Sequence, residues 1–250
     1  MASVTQRIKQ IKQPRGGYIK PKEFSVEDLQ DDNVLYESEN IHSSLVGLAV
    51  DYLTRFLNGT PIEEAFKISL IGAHLTGKDE LADDLMSDIK GTDETSIKNA
   101  CKLVGFDVVY RSGPIGYKPV ESINPDEETI SNIKIMVNRG LNFFDLYGPI
   151  VKDGFTFEGG YTSEITTGDG DFLTDDTLWD FKVTKQAPEK KHTLQLLIYF
   201  LMGVNSIHLQ FNEINNLGIF NPRLNKVYLL SINEIPDEVI NEVRTDVIGY

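Results

Sequence analysis

The chain has 250 residues, 40% of them hydrophobic, and a formal net charge of -14. That size and apolar content suffice for one large domain or two small ones with a substantial core. The acidity argues against a protein that coats nucleic acid by bulk electrostatics, and the single cysteine, Cys101, excludes an internal disulfide or a cysteine-rich zinc site.

Charge is spread unevenly along the chain. Arg7, Lys9, Lys12, Arg15, Lys20 and Lys22 precede the first acidic residue, Glu23, so residues 1–22 carry +6 in side chains and the remainder -20. This stretch reads as a basic flexible arm, able to contact phosphates or to remain a solvated tail. Residues 23–149 read as a mainly helical part. After an acidic stretch, Leu45, Leu48, Ala49, Tyr52, Leu53 and Phe56 recur at helical spacing, and Asn58-Gly59 ends the run. Another helix is predicted from Pro61, with Ile62, Ala65, Phe66 and Leu70 inward, followed by helical patterns over 80–89 and 95–104. A Gly/Pro-rich connection over 112–125 leads into a helix running to about Asn138. Gly72 to Lys78 has a Walker-A-like spacing. It lacks the preceding strand and the following hydroxyl, with Asp79 in that place, so a glycine-ended helix C-terminus is the better account.

From residue 150 the hydrophobic period changes to two, with Phe155, Phe157 and Tyr161 alternating with polar neighbours. Residues 168–182 then read as a β-hairpin turning at Asp175-Asp176. Its cross-strand partners are Leu173 with Leu178, Asp171 with Asp180, and Asp169 with Lys182, which gathers the ionisable groups above the turn on one face. The other face pairs Phe172 with Trp179 and Thr174 with Thr177, while Phe181 covers Gly170. Like charges opposite each other destabilise a sheet, so Asp171 facing Asp180 asks for a compensating cation. A helix over 188–203 follows, its apolar run 194–203 about half of what a membrane span requires. On it Gln195 and Tyr199 share a face, with His192 on nearly the same stripe. Two strands, within 209–220 and over 226–232, close the chain around the turn Asn221–Asn225. With no apolar N-terminal stretch of the signal-peptide kind, the expectation is a cytoplasmic protein without a membrane partner.

The pattern Gly168-x-Gly-Asp171, then Asp180-Phe-Lys182, then Gln195-x-x-x-Tyr199 resembles the PD-(D/E)XK nuclease superfamily, in particular the branch holding the RecB nuclease domain and the CRISPR-associated exonucleases. The resemblance covers about residues 150–232, and Gly170 stands where the superfamily name has Pro. It implies an α/β fold with a restriction-endonuclease-like core, a central mixed sheet flanked by helices, over residues 150–250, with 23–149 supplying the first core helix. It further implies that Asp171, Asp180 and the Phe181 carbonyl are metal ligands, that Lys182 activates water, and that Gln195 and Tyr199 border the substrate phosphate. The upstream ligand it expects is not fixed; His42 and Glu39 are the candidates.

Two aspartates and a carbonyl suit Mg2+, with Mn2+ as a substitute, better than zinc. The expected activity is metal-dependent hydrolysis of phosphodiester bonds, and the resemblance implies DNA rather than RNA as the substrate. Rival readings are a catalytically silent nuclease-fold protein that acts as an acidic interaction module, with a protein partner or a second copy of itself, and an acidic structural domain whose hairpin carboxylates pair with lysines.

Overall fold

The computed structural model describes residues 2–250. In chain order the first elements are β1 (Ala2–Ser3), α1 (Val4–Gln10), β2 (Ser25–Asp28), α2 (Ser43–Leu57), α3 (Ile62–Ala65), α4 (Lys67–Leu75), α5 (Asp79–Ser87), α6 (Glu94–Leu103), α7 (Asp107–Ser112) and α8 (Glu127–Tyr147). There follow β3 (Lys152–Thr156), β4 (Ile165–Thr167), β5 (Asp169–Leu173), β6 (Thr177–Phe181), α9 (Lys190–Val204), β7 (Asn216–Asn221), β8 (Lys226–Ser231) and α10 (Asp237–Glu242). They form two compact units, Met1–Gln30 with Asp145–Tyr250, and Asp31–Phe144.

The first unit is built on a six-stranded sheet of order β2-β8-β7-β6-β5-β3. Strands β6 and β7 run parallel and the other neighbours antiparallel, which makes the sheet mixed. A parallel pair needs a crossover, and α9 is its helix. Leu194, Leu197, Ile198 and Leu201 of α9 are buried in one core with Leu173 and Leu178 of the hairpin and Leu217 and Ile219 of β7. The fold is thus α/β, a central mixed sheet flanked by helices.

Within the stretch 1–22, expected as a flexible arm, the described residues 2–22 pack against the sheet unit. Val4, Ile8 and Ile19 are buried in the core just described, and Ser3 and Gln6 form a capping box at the start of α1. Arg7 donates to the carbonyls of Asp246 and Val247 at 3.0 and 2.8 Å and pairs with Glu164 at 2.9 Å. The four-residue spacing of Val4 and Ile8 gives one apolar stripe, which the intervening basic residues obscure in the sequence. Strand β2 was also not expected. All four of its residues are exposed, so no apolar alternation marks it, and it forms by backbone pairing with β8, from Ser25 opposite Leu229 to Asp28 opposite Lys226.

The Asp31–Phe144 unit is helical. Helix α2 ends at Asn58 and Gly59 as the spacing predicts. The helix expected from Pro61 breaks into α3 and α4 at Phe66, whose fully buried ring meets Tyr52 edge-on at 5.4 Å. At the Walker-like stretch, Gly77 takes φ +64, its N–H bonds to the His74 carbonyl and the N–H of Lys78 bonds to that of Ala73. This paired arrangement is the Schellman ending of a helix. Helix α8 runs past Asn138, its expected end, to Tyr147. Arg139 and Gly140 are both buried, and Arg139 holds Asp31 through two bonds of 2.7 and 2.9 Å, so packing overrides the local propensity. Among the described residues no helix is long and apolar enough to cross a membrane.

Candidate metal centre

The hairpin forms with the expected turn and register near its tip. Thr174 donates its N–H to the Thr177 carbonyl across Asp175-Asp176 at 3.0 Å, and the pairs Leu173–Leu178 and Phe172–Trp179 follow. The Phe172 and Trp179 rings stack at 6.4 Å, and the indole N–H donates to Thr174 Oγ1 at 3.0 Å. Phe181, however, does not cover Gly170. A Cβ on Gly170 would lie 2.3 Å from the Phe155 ring, because β3 brings Phe155 opposite Gly170, and Phe181 instead meets Phe220 edge-on at 5.6 Å.

Beyond Phe172 and Trp179 the β5–β6 ladder is not continued. In a regular ladder the N–H of Phe181 would go to the Gly170 carbonyl. It goes to Asp171 Oδ2 at 2.6 Å instead. The expected cross-strand pairs of Asp171 with Asp180 and Asp169 with Lys182 are therefore not ladder pairs, and Asp169 lies opposite Thr156 of β3. Repulsion between directly opposed carboxylates accounts for the departure: one carboxylate finds a backbone N–H, the other a lysine.

That lysine is Lys182. Its Nζ donates to Asp180 Oδ1 at 2.8 Å, and its backbone N–H ties the end of β6 to the Phe220 carbonyl at 2.9 Å. Asp180 sits on an interior strand and is only 2% exposed. Its second oxygen, Oδ2, is buried without a hydrogen-bond partner. A buried carboxylate oxygen left unsatisfied costs free energy on the order of 1–3 kcal/mol or more, so its presence needs an explanation.

Helix α9 brings Gln195 and Tyr199 together as their spacing predicts, with Gln195 Nε2 donating to the Tyr199 hydroxyl at 2.7 Å. Burial, then the negative charges of Asp169, Asp180 and Asp171, hold the Tyr199 hydroxyl well above its ordinary range, against the opposing bond from Gln195. The phenol is thus neutral and shares one electrostatic neighbourhood with all three hairpin aspartates. His192, which the sequence places on the same stripe without a role, accepts the Glu189 N–H on Nδ1 at 2.9 Å. Burial first, and then the Lys182 charge, lower its pKa to about 4 and keep it neutral.

The upstream candidates lie in the helical unit and have local roles there. Glu39 Oε1 accepts from Asn132 Nδ2 at 3.1 Å, and His42 caps α2 by accepting the Ser44 N–H on Nδ1 at 3.2 Å. Among the described residues no group of three or more His, Cys, Asp or Glu side chains is arranged to hold a metal ion. Within the sheet unit, Asp171, Asp180 and the Phe181 carbonyl are the groups that could hold a metal ion. No family model, curated protein or solved structure matches this chain.

Proposed function

We propose that the chain is a metal-dependent nuclease that hydrolyses phosphodiester bonds in DNA, on a restriction-endonuclease-like core of the PD-(D/E)XK kind. The observation that carries this reading is Asp180 Oδ2, a buried, unpartnered carboxylate oxygen beside a lysine and a second aspartate. Such an atom fits a hard cation, and Mg2+ accepts a few protein oxygens with the remaining positions filled by water. Asp171, Asp180 and the Phe181 carbonyl would hold it, with Mn2+ as a substitute. Bound there, the cation supplies a lowered pKa for a water and neutralises charge on the scissile phosphate.

The chain's own groups do the remaining work. Lys182 contributes a positive charge next to Asp180 and orients the attacking water. Because Gln195 donates to the Tyr199 oxygen, the phenolic proton is left for the substrate phosphate, and the raised pKa of Tyr199 keeps that proton in place.

Purified protein incubated with DNA and Mg2+ or Mn2+ is expected to degrade it, with Asp180→Ala and Lys182→Ala each reducing the rate on the order of 10^2- to 10^3-fold. Cleavage equal in the wild type and both variants would overturn the assignment. The net charge of -14 favours one alternative, an acidic interaction module on the same fold, and metal affinity without cleavage of any DNA or RNA points to it.

A further inference from the structure

Two basic stretches far apart in the sequence meet at the first turn of α9. Thr193 Oγ1 donates to the Ile19 carbonyl at 2.7 Å, a bond that spans 174 residues. A Cβ on Gly17, which has φ +103, would lie 2.7 Å from Lys190 Cβ. Ile19 itself is buried in the core that contains Leu194 and Leu197. The loop before β2 is thereby fixed against the start of α9.

This junction concentrates positive charge. The loop presents Lys12, Arg15, Lys20 and Lys22, all exposed, and no acid precedes Glu23. The segment from the end of β6 into α9 adds Lys182, Lys185, Lys190 and Lys191, with Glu189 as its one carboxylate. Eight cations on these two stretches thus face three paired carboxylates, Glu23, Asp180 and Glu189, in a chain whose net charge is -14. Lys20 pairs with Glu23 at 3.7 Å and Lys191 with Glu189 at 3.1 Å, but both pairs are half exposed and worth little. A shallow pocket lined by Thr184, Lys185, Gln186, Glu189, Lys191 and His192 lies in the same region. Lys182, whose Nζ donates to Asp180 Oδ1 at 2.8 Å, opens this segment, so the basic junction is continuous with the candidate centre.

The geometry points to a nucleic-acid-binding surface made by loop 12–22 and segment 182–191 together, which holds the phosphate backbone and leads it to Asp180 and Lys182. The identity of the polyanion rests on the nuclease reading. The acidic remainder of the chain repels nucleic acid, so retention depends on this one surface and weakens steeply with salt.

The test is binding without metal, so that no cleavage intervenes. A fluorescently labelled single-stranded DNA oligonucleotide in EDTA is titrated with the full chain, and anisotropy is followed across salt concentrations. The triple variant Lys12→Gln, Arg15→Gln, Lys20→Gln should weaken binding on the order of 10- to 100-fold near 0.1 M salt. The slope of log K against log salt should fall by about 2, as expected for three lost phosphate contacts. Lys185→Gln with Lys190→Gln, on the other stretch, should act in the same direction, whereas Lys118→Gln with Lys134→Gln in the helical unit should not. Undiminished binding in both junction variants, equal loss in the helical-unit control, or no binding by the wild type overturns the inference. Junction-dependent binding without any cleavage in Mg2+ leaves the surface standing and removes the nuclease reading instead.

Discussion

Asp107 in the helical unit and Asp180 in the sheet unit are buried to nearly the same extent, 1% and 2% exposed, and their surroundings treat them in opposite ways. Asp107 Oδ1 accepts from Ser69 Oγ at 2.5 Å, and Oδ2 accepts from the Tyr52 hydroxyl at 2.7 Å with Arg111 Nε 3.5 Å away. Both oxygens are used, and Arg111 also donates to the Tyr52 hydroxyl at 3.3 Å, which closes the network. Asp180 has Lys182 on one oxygen and nothing on the other. Buried charge is common to both, so burial and charge alone do not mark a functional site. Unmet hydrogen-bonding capacity separates a carboxylate that ties a core together from one prepared for a ligand.

The comparison can be broken in several places. The largest effect belongs to Asp180→Ala, which should cost the proposed DNA cleavage on the order of 10^3-fold in a rate assay while leaving the urea midpoint nearly unchanged. Asp107→Ala should do the reverse. It strands Tyr52, Ser69 and Arg111, and denaturation should register a loss of about 3 kcal/mol with cleavage retained. Next in size is ligand stabilisation. At a Mg2+ concentration about 100 times its Kd, the wild type should gain roughly 2.7 kcal/mol, seen as a rise in Tm that is absent from Asp180→Asn. An equal rise in Asp180→Asn would place the cation elsewhere.

The smallest effect is a pH dependence. Burial holds the Asp107 carboxyl above its ordinary range despite the opposing bonds from Ser69, Tyr52 and Arg111. A carboxyl with a raised folded pKa contributes stability that is complete below the unfolded value, about 3.9, and is lost as pH rises through the folded value. Wild type should therefore lose stability relative to Asp107→Asn as pH is raised from about 4. Parallel pH profiles for the two proteins would contradict the direction assigned to Asp107.

Much of the sheet unit was legible because strong local signals agreed. The aromatic pair Phe172 and Trp179 and the two leucines fixed the register at the hairpin tip, and the four-residue spacing of Gln195 and Tyr199 placed them correctly on α9. The misreadings share a physical cause: each was decided by a partner distant in sequence. Phe155 rather than Phe181 lies over Gly170 because β3 pairs on the outer side of β5, and the basic stretch packs on the sheet unit because Val247 receives Arg7 and Thr193 of α9 bonds Ile19. Asp171 binds a backbone N–H rather than facing Asp180 in the ladder, a choice that alternation cannot reveal. Asp107 went unnoticed as well, although its signal was present as a lone acid between Phe106 and Val108 in an otherwise apolar stretch.

The pairing of β2 with β8 has a consequence for the order in which the chain acquires its structure. Ser25 Oγ bonds the Leu229 carbonyl across 204 residues, and the strand that carries Asp180 lies between the two ends of that span. The helical unit is one uninterrupted segment, Asp31–Phe144, and helical units generally fold quickly. During synthesis it can fold while β2 still waits for its neighbour. The sheet is completed only once β8 has been made, so the candidate centre is among the last parts of the molecule to mature, and until then its edge strands and basic loop are open to other chains.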